Sequence, residues 1–255
     1  MQPGSSAFSP VFMKKLTLLL LVILSIPSLG QKQVKKHSGV WLGYFNQTRI
    51  TDKWGIWLDL HARRTDFLDR WSTQIIRPGI TYYANDHLRF TAGYAYARSF
   101  PAVGLHTVRP ENRLWQQVLW TSRQKRLQTQ QWIRIEERFN RKIANDALQD
   151  GYNFNFRFRY LLNLMVPLNR DFIEPGTVFF AFNDEIHINA GKQITYNIFD
   201  QNRLFVGLGY QFTKGLNLQI GYMNQFQQLP SGNHFNSNNV LRLFVFHNLD
   251  LRSKK

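Results

Sequence analysis

The sequence predicts an all-β fold, a transmembrane antiparallel up-and-down β-barrel of ten to twelve strands. Three observations predict it: an apolar/polar alternation of period two along the chain, connections that alternate between short and long, and an apolar leader near the N-terminus. The alternation is clearest in NFNFRFRY (153–160), where Phe154, Phe156, Phe158 and Tyr160 share one face and Asn155, Arg157 and Arg159 the other.

The leader comes first in the chain. MKKLTLLLLVILSIPSLG (13–30) has a charged start at Lys14 and Lys15, an apolar run from Leu16 to Ile26 and small residues at Ser28 and Gly30. This is the pattern of a secretory signal, with Met13 as the expected start, and it is too short to span a bilayer once Pro27 breaks it. A buried N-terminal helix is the alternative. With residues 1–30 removed, the net charge falls from +16 to +14, because the segment contains two lysines and no acid. A basic arm, QKQVKKHSG (31–39), would then precede a barrel over 40–251.

Eleven strands are legible in order: 40–50, 54–64, 73–83, 88–98, 112–122, 127–139, 153 to about 166, 177–189, 202–212, 216–226 and 239–249. In the second, Ile56, Leu58, Leu60 and Ala62 alternate with Trp57, Asp59, His61 and Arg63; in the third, Ile76, Pro78, Ile80 and Tyr82 alternate with Arg77, Gly79 and Thr81. Connections at 51–53, 84–87, 123–126 and 213–215 are short, those at 99–111, 140–151, 190–201 and 227–238 are long, and 169–176 is intermediate. Tight turns at one end and longer loops at the other are the habit of membrane barrels, which in bacteria use even strand numbers. Eleven is therefore awkward, and the basic arm is a candidate twelfth.

Periodicity alone does not say which face points inward. A soluble barrel puts its apolar face inside around a ligand, and a membrane barrel reverses this. The export signal, strands near eleven residues long and the number of bulky rings (21 Phe, 10 Tyr, 7 Trp) together favour apolar-outward, since one interior could not pack so many rings. No Cys is present, which excludes disulfides, thiolate metal sites and a lipid-anchored Cys.

Several stretches, WLGYFNQTRITDKWGIWLDLHAR, ENRLWQQ, WIRIEERF, RFRYLLNLMVPL, FNDEIHIN and FDQNRLFVGLGYQFTKGLNLQIGYMNQF, resemble the domain-of-unknown-function family 2490 over about residues 38–250. The resemblance implies an outer-membrane β-barrel of a diderm bacterium, located in the cell outer membrane. It implies no reaction.

Function would sit on the polar face. If the rings face lipid, Arg157 and Arg159 turn inward together with Arg134, Glu136 and Arg138 of the preceding strand and Glu185 and His187 of the following one. These seven form a candidate charge ladder filling a narrow lumen, as expected of a structural or narrow-pore protein with no enzyme activity and no cofactor. The alternative is a lipid-modifying barrel enzyme, a hydrolase or acyltransferase at the outer leaflet, using pairs such as Glu185–His187 or Asp59–His61 to activate a hydroxyl. No His/Asp/Glu spacing suits a metal. The glycines of VGLGYQFTKGLNLQIGY precede no helix, so they read as strand glycines that admit bulges or bulky neighbours rather than a phosphate loop. The cations are scattered rather than striped, which argues against nucleic acid. The expected partners are outer-membrane lipids and lipopolysaccharide, met by rim cations Arg109, Arg113, Arg141 and Lys142, and the barrel assembly machinery during biogenesis.

Overall fold

A computed structural model describes residues 32–252, so the expected signal over 1–30 lies outside the described residues. Eleven strands follow one another: β1 (Gln33–Arg49), β2 (Trp54–Thr65), β3 (Arg70–Tyr83), β4 (Leu88–Ser99), β5 (Arg109–Gln124), β6 (Leu127–Ala144), β7 (Ala147–Pro167), β8 (Val178–Ala190), β9 (Phe199–Gln211), β10 (Leu216–Gln228) and β11 (His234–Asp250). Each overlaps the span read from the sequence, and several run beyond it. No helix occurs among the described residues.

Neighbours in sequence are neighbours in space, and β1 meets β11 to close the barrel. Each consecutive pair is antiparallel, so direction reverses ten times and β11 ends up running the same way as β1. The closing pair is therefore parallel. At this seam the Leu251 amide donates to Arg49 O at 2.9 Å and Asn46 Nδ2 donates to His247 O at 3.1 Å. The parallel seam accommodates the odd strand number without a twelfth strand. The basic arm supplies none: residues 33–39 continue β1, whose register with β2 begins at Val40.

The contrast between the two mouths is weaker than expected. Connections 50–53, 84–87, 125–126 and 212–215 are tight. The loop expected over 140–151 is instead a two-residue turn at Asn145–Asp146, with φ of 51° and 53°. Asn and Asp tolerate that left-handed conformation, and the turn's twist suits a hairpin, so β6 and β7 extend to meet it as an exposed ribbon. The 229–233 loop is also short, whereas 100–108 and 191–198 stay long. The intermediate 168–177 connection folds inward. Thr177 Oγ1 accepts from the Glu174 amide and donates to Phe172 O, both at 3.1 Å, and Ile173 packs against rings inside the barrel.

Along every strand one phase faces out and one in. Ile56, Ile76, Ile80, Ile133, Phe156, Phe158 and Leu208 are exposed, Ile80 by 64%, whereas Asp59, Trp115, Glu136 and His187 are buried to within 1%. Inward glycines leave room for rings. A Cβ on Gly209 would lie 2.1 Å from the Phe179 ring and one on Gly43 2.6 Å from that of Phe244, so both sites require hydrogen for steric reasons.

Candidate functional site: a charge-filled lumen

The inward residues of β2, β3 and β5–β9 meet at mid-height. Glu136 on β6 is the hub, with Arg159 Nη1 at 2.6 Å, Arg77 Nη2 at 3.4 Å, Arg113 Nη1 at 3.6 Å and Arg157 Nη1 at 4.0 Å. Four guanidiniums share one carboxylate because alternate positions on neighbouring antiparallel strands point to the same space: Glu136 is paired in register with Arg157, and Arg134 with Arg159. Glu111 accepts a fork from Arg113, at 2.7 and 2.9 Å, and a second from Arg138. Arg159 Nε donates to Glu185 Oε1 at 2.8 Å, and Arg203 Nη1 to Glu185 Oε2 at 3.3 Å. Arg77 Nη1 also reaches Asp59 Oδ2 at 3.1 Å. Paired planar forks suit burial, because each charge keeps its partners when water is excluded.

Asp200 enters by a different route. His187 pairs with Gln201 and Ile188 with Phe199, which leaves Asp200 as the extra residue of a bulge. The bulge turns its carboxylate inward, 2.8 Å from Arg157 Nη2.

All seven residues of the candidate ladder lie inside. Arg134 is held by Gln117 Oε1, at 2.9 Å from its Nε, rather than by a carboxylate, and its guanidinium sits over Trp115 and Trp132 at 4.6 and 4.7 Å. His187 Nε2 lies 3.2 Å from Glu185, and its Nδ1 lies 3.1 Å from Gln201 Nε2 and 3.9 Å from Asp200. Among the rim cations, Arg113 is misplaced by the sequence reading. β5 begins at Arg109 rather than near 112, so Arg113 falls within the barrel and its inward phase carries it to Glu111 and Glu136. Arg109 is exposed, and Arg141 stacks on Tyr152 at 5.3 Å on the projecting ribbon.

Sequence reading did not join Arg77, Glu111, Arg203 and Arg242 to the ladder. The available signal was phase: each stands an even number of residues from an inward neighbour on its own strand. The bulge at Asp200 leaves no such signal.

A second feature is apolar. Trp41, Phe179, Phe205, Met223, Val240 and Phe244 form a buried inward cluster on β1 and β8–β11, with Phe45, Met165, Ile173 and Phe246 packed on it. Two cavities flank the mid-height layer. One, of about 350 Å³, opens at the mouth of the tight turns; the other, of about 390 Å³, lies toward the 100–108 loop. Trp41, Arg63, Arg77, Arg159 and Arg203 border both and form the waist between them. No grouping of His, Asp and Glu among the described residues could hold a metal ion.

Fold and lumen together define the class: a closed, up-and-down β-barrel with an ion-paired interior and an apolar exterior. More particularly, the chain belongs to the family described as "Protein of unknown function (DUF2490)", whose model matches residues 38–236. An uncharacterized protein of Methylorubrum extorquens is 29% identical over 159 residues, which are 59% of this chain and 62% of that protein. The match thus spans less than two thirds of the relative. No solved structure matches.

Proposed function

We propose that this chain is an outer-membrane β-barrel, exported by its N-terminal segment, whose lumen is closed at mid-height by ion pairs. In this reading it serves as a structural protein or a narrow, anion-preferring pore. The observation that carries the reading is the opposite polarity of the two phases of the same strands. Outward isoleucine, leucine and phenylalanine form a band that water would solvate poorly, and the polar groups that a soluble barrel would show to water are instead buried, most of the charged ones in ion pairs.

Among the described residues, seven arginines and five acids are buried, so the interior carries excess positive charge, which favours anions in any residual leak. The apolar band suits the lipid tails of the outer membrane, while Arg109, Arg141 and Lys142 at the opposite mouth suit anionic headgroups, including those of lipopolysaccharide. The test is fractionation of cells expressing the full chain, with electrophoresis of unheated and boiled samples. The protein should track with outer membranes and change mobility on boiling, because a closed barrel resists detergent until heated. Recovery in the soluble periplasm would contradict the location.

A further inference from the structure

We infer that the cavity at the mouth of the tight turns is a binding site for an amphiphilic anion, an oxyanion head on an apolar tail. The argument begins with Arg242. This buried guanidinium donates only to the neutral oxygens of Asn183, at 3.2 Å, and Gln219, at 3.1 Å, and it rests on Phe205 at 3.2 Å and Phe244 at 4.5 Å. Arg63 is similar: it is buried and stacked on Trp41 at 3.8 Å. Neither has a carboxylate within ion-pair distance among the described residues.

Both border the 350 Å³ cavity, and the Nε of each makes no hydrogen bond within the protein. The Nε of Arg203, also on the lining, shares that condition. The acceptors Asn163 Oδ1 and Asn217 Oδ1 on the same lining are also without hydrogen-bond partners among the described residues, but they are neutral; the charges left without a counter-ion are the Arg63 and Arg242 guanidiniums, and a ligand carrying an oxyanion supplies one. Part of the remaining wall is amide, as at Asn163 and Asn217, and part is apolar, with Phe45, Phe179, Phe244, Phe246, Met165 and Ile173 beside the guanidiniums. Such a wall has no use for a bare inorganic anion but suits an alkyl chain. A volume near 350 Å³ is at the small end of ligand pockets, about 300–1,000 Å³, and fits a medium-length chain. Lys214, exposed at the rim, places a further cation on the way in.

This inference rests on the barrel interior and not on the membrane location, so each can fail without the other. The test is a tryptophan-fluorescence titration of the full chain refolded in nonionic detergent, since Trp41, Trp57 and Trp132 line the cavity. Sodium decanoate is the probe, decanol and acetate are its controls, and dihexanoyl-phosphatidylglycerol is run in parallel. Decanoate should bind saturably and at least about tenfold more tightly than decanol or acetate. If the phospholipid binds more tightly than decanoate, the natural head is a phosphodiester; the reverse order assigns a free carboxylate. Arg242→Gln should weaken binding about tenfold, and Lys214→Glu, on an exposed side chain, should weaken it by a smaller factor. Should Arg242→Gln fail to refold, Ile173→Trp decides, because the larger ring fills the cavity without touching its charge and should abolish binding. Decanol binding as tightly as decanoate, acetate matching decanoate, or unchanged affinity in Ile173→Trp would each overturn the site.

Discussion

The two sides of the lumen are filled by different physics. On β5–β8, Glu111, Arg113, Arg134, Glu136, Arg138, Arg157, Arg159, Glu185 and His187 fill the space with charge, each side chain fixed by the position of its partners. On β1 and β8–β11 the space is filled by rings, and the fit depends on glycines that give those rings room. A charged wall is directional and intolerant of losing one partner. A ringed wall is indifferent to charge but intolerant of added volume. On β2 and β11, at Arg63 and Arg242, guanidiniums lie on aromatic faces without a carboxylate.

The largest break falls on the charged wall. Glu136→Gln keeps the side-chain shape but leaves four guanidiniums without their common counter-ion. Removing one partner from a buried charge cluster destabilises by about 3–5 kcal/mol. Thermal denaturation in detergent should show the loss, and a variant as stable as wild type would mean that the cluster is not held by Glu136. The outside of the same wall comes next. Phe158→Arg should destabilise by about 2–4 kcal/mol if its position lies near the bilayer midplane; folding in lipid vesicles measures this, and unaltered stability would argue against a lipid-facing band. The ringed wall should respond to volume instead. Gly209→Ala forces a methyl against the Phe179 ring, and overpacking of this kind destabilises by about 1–3 kcal/mol. Added salt should narrow the deficit of an exposed charge variant and leave this one unchanged.

These walls were unequally legible in the sequence. The charged wall follows from period-two alternation, since once Phe154–Tyr160 face out, Arg157 and Arg159 must face in, and register brings Glu136 to them. Asp200 was hidden because a bulge breaks the alternation on which the reading depends. The ringed wall was hidden for another reason. Alternation sorts apolar from polar, and on β1 and β8–β11 both phases hold apolar residues, so Phe179 and Phe180 are indistinguishable until the closed barrel places one inside. The glycines of 206–222 gave a partial signal: their reading as strand glycines that admit bulges or bulky neighbours matches Gly209 beside Phe179, whereas Gly43 beside Phe244 was not read. The parallel seam follows from parity alone, given eleven strands, whereas the contraction of the 140–151 loop depended on the turn chemistry of Asn145–Asp146.

The smallest expected effect lies away from both walls, at the tip of the β6–β7 ribbon. Asp146 accepts from the amides of His106, at 2.8 Å, and Thr107, at 2.9 Å, and so ties the 100–108 loop to the ribbon. The Thr107 amide, followed by that of His106, holds the Asp146 carboxyl below its ordinary 3.8. A folded pKa below the unfolded one means that the contribution is fully present above 3.8 and is lost as pH falls through the lower folded value. The loop should therefore stay tied across the neutral range and loosen only in strong acid. At neutral pH, Asp146→Asn keeps the turn residue type but offers one acceptor oxygen in place of two. Proteolysis within 102–107 should quicken while the melting of the barrel stays the same. A shifted melting temperature would show that the tie supports the barrel itself.

The central claim, a lumen closed at mid-height by compensated charge, is tested most directly by single-channel current in planar bilayers, comparing the wild-type chain with the double variant Arg157→Ser/Arg159→Ser. The wild type should conduct little, with any current carried by anions, and the double variant should conduct more, because Arg159 leaves the waist between the cavities and Arg157 leaves the wall of the second cavity. A wild type that passes a large cation-selective current, or a double variant whose conductance equals that of the wild type, would contradict the account.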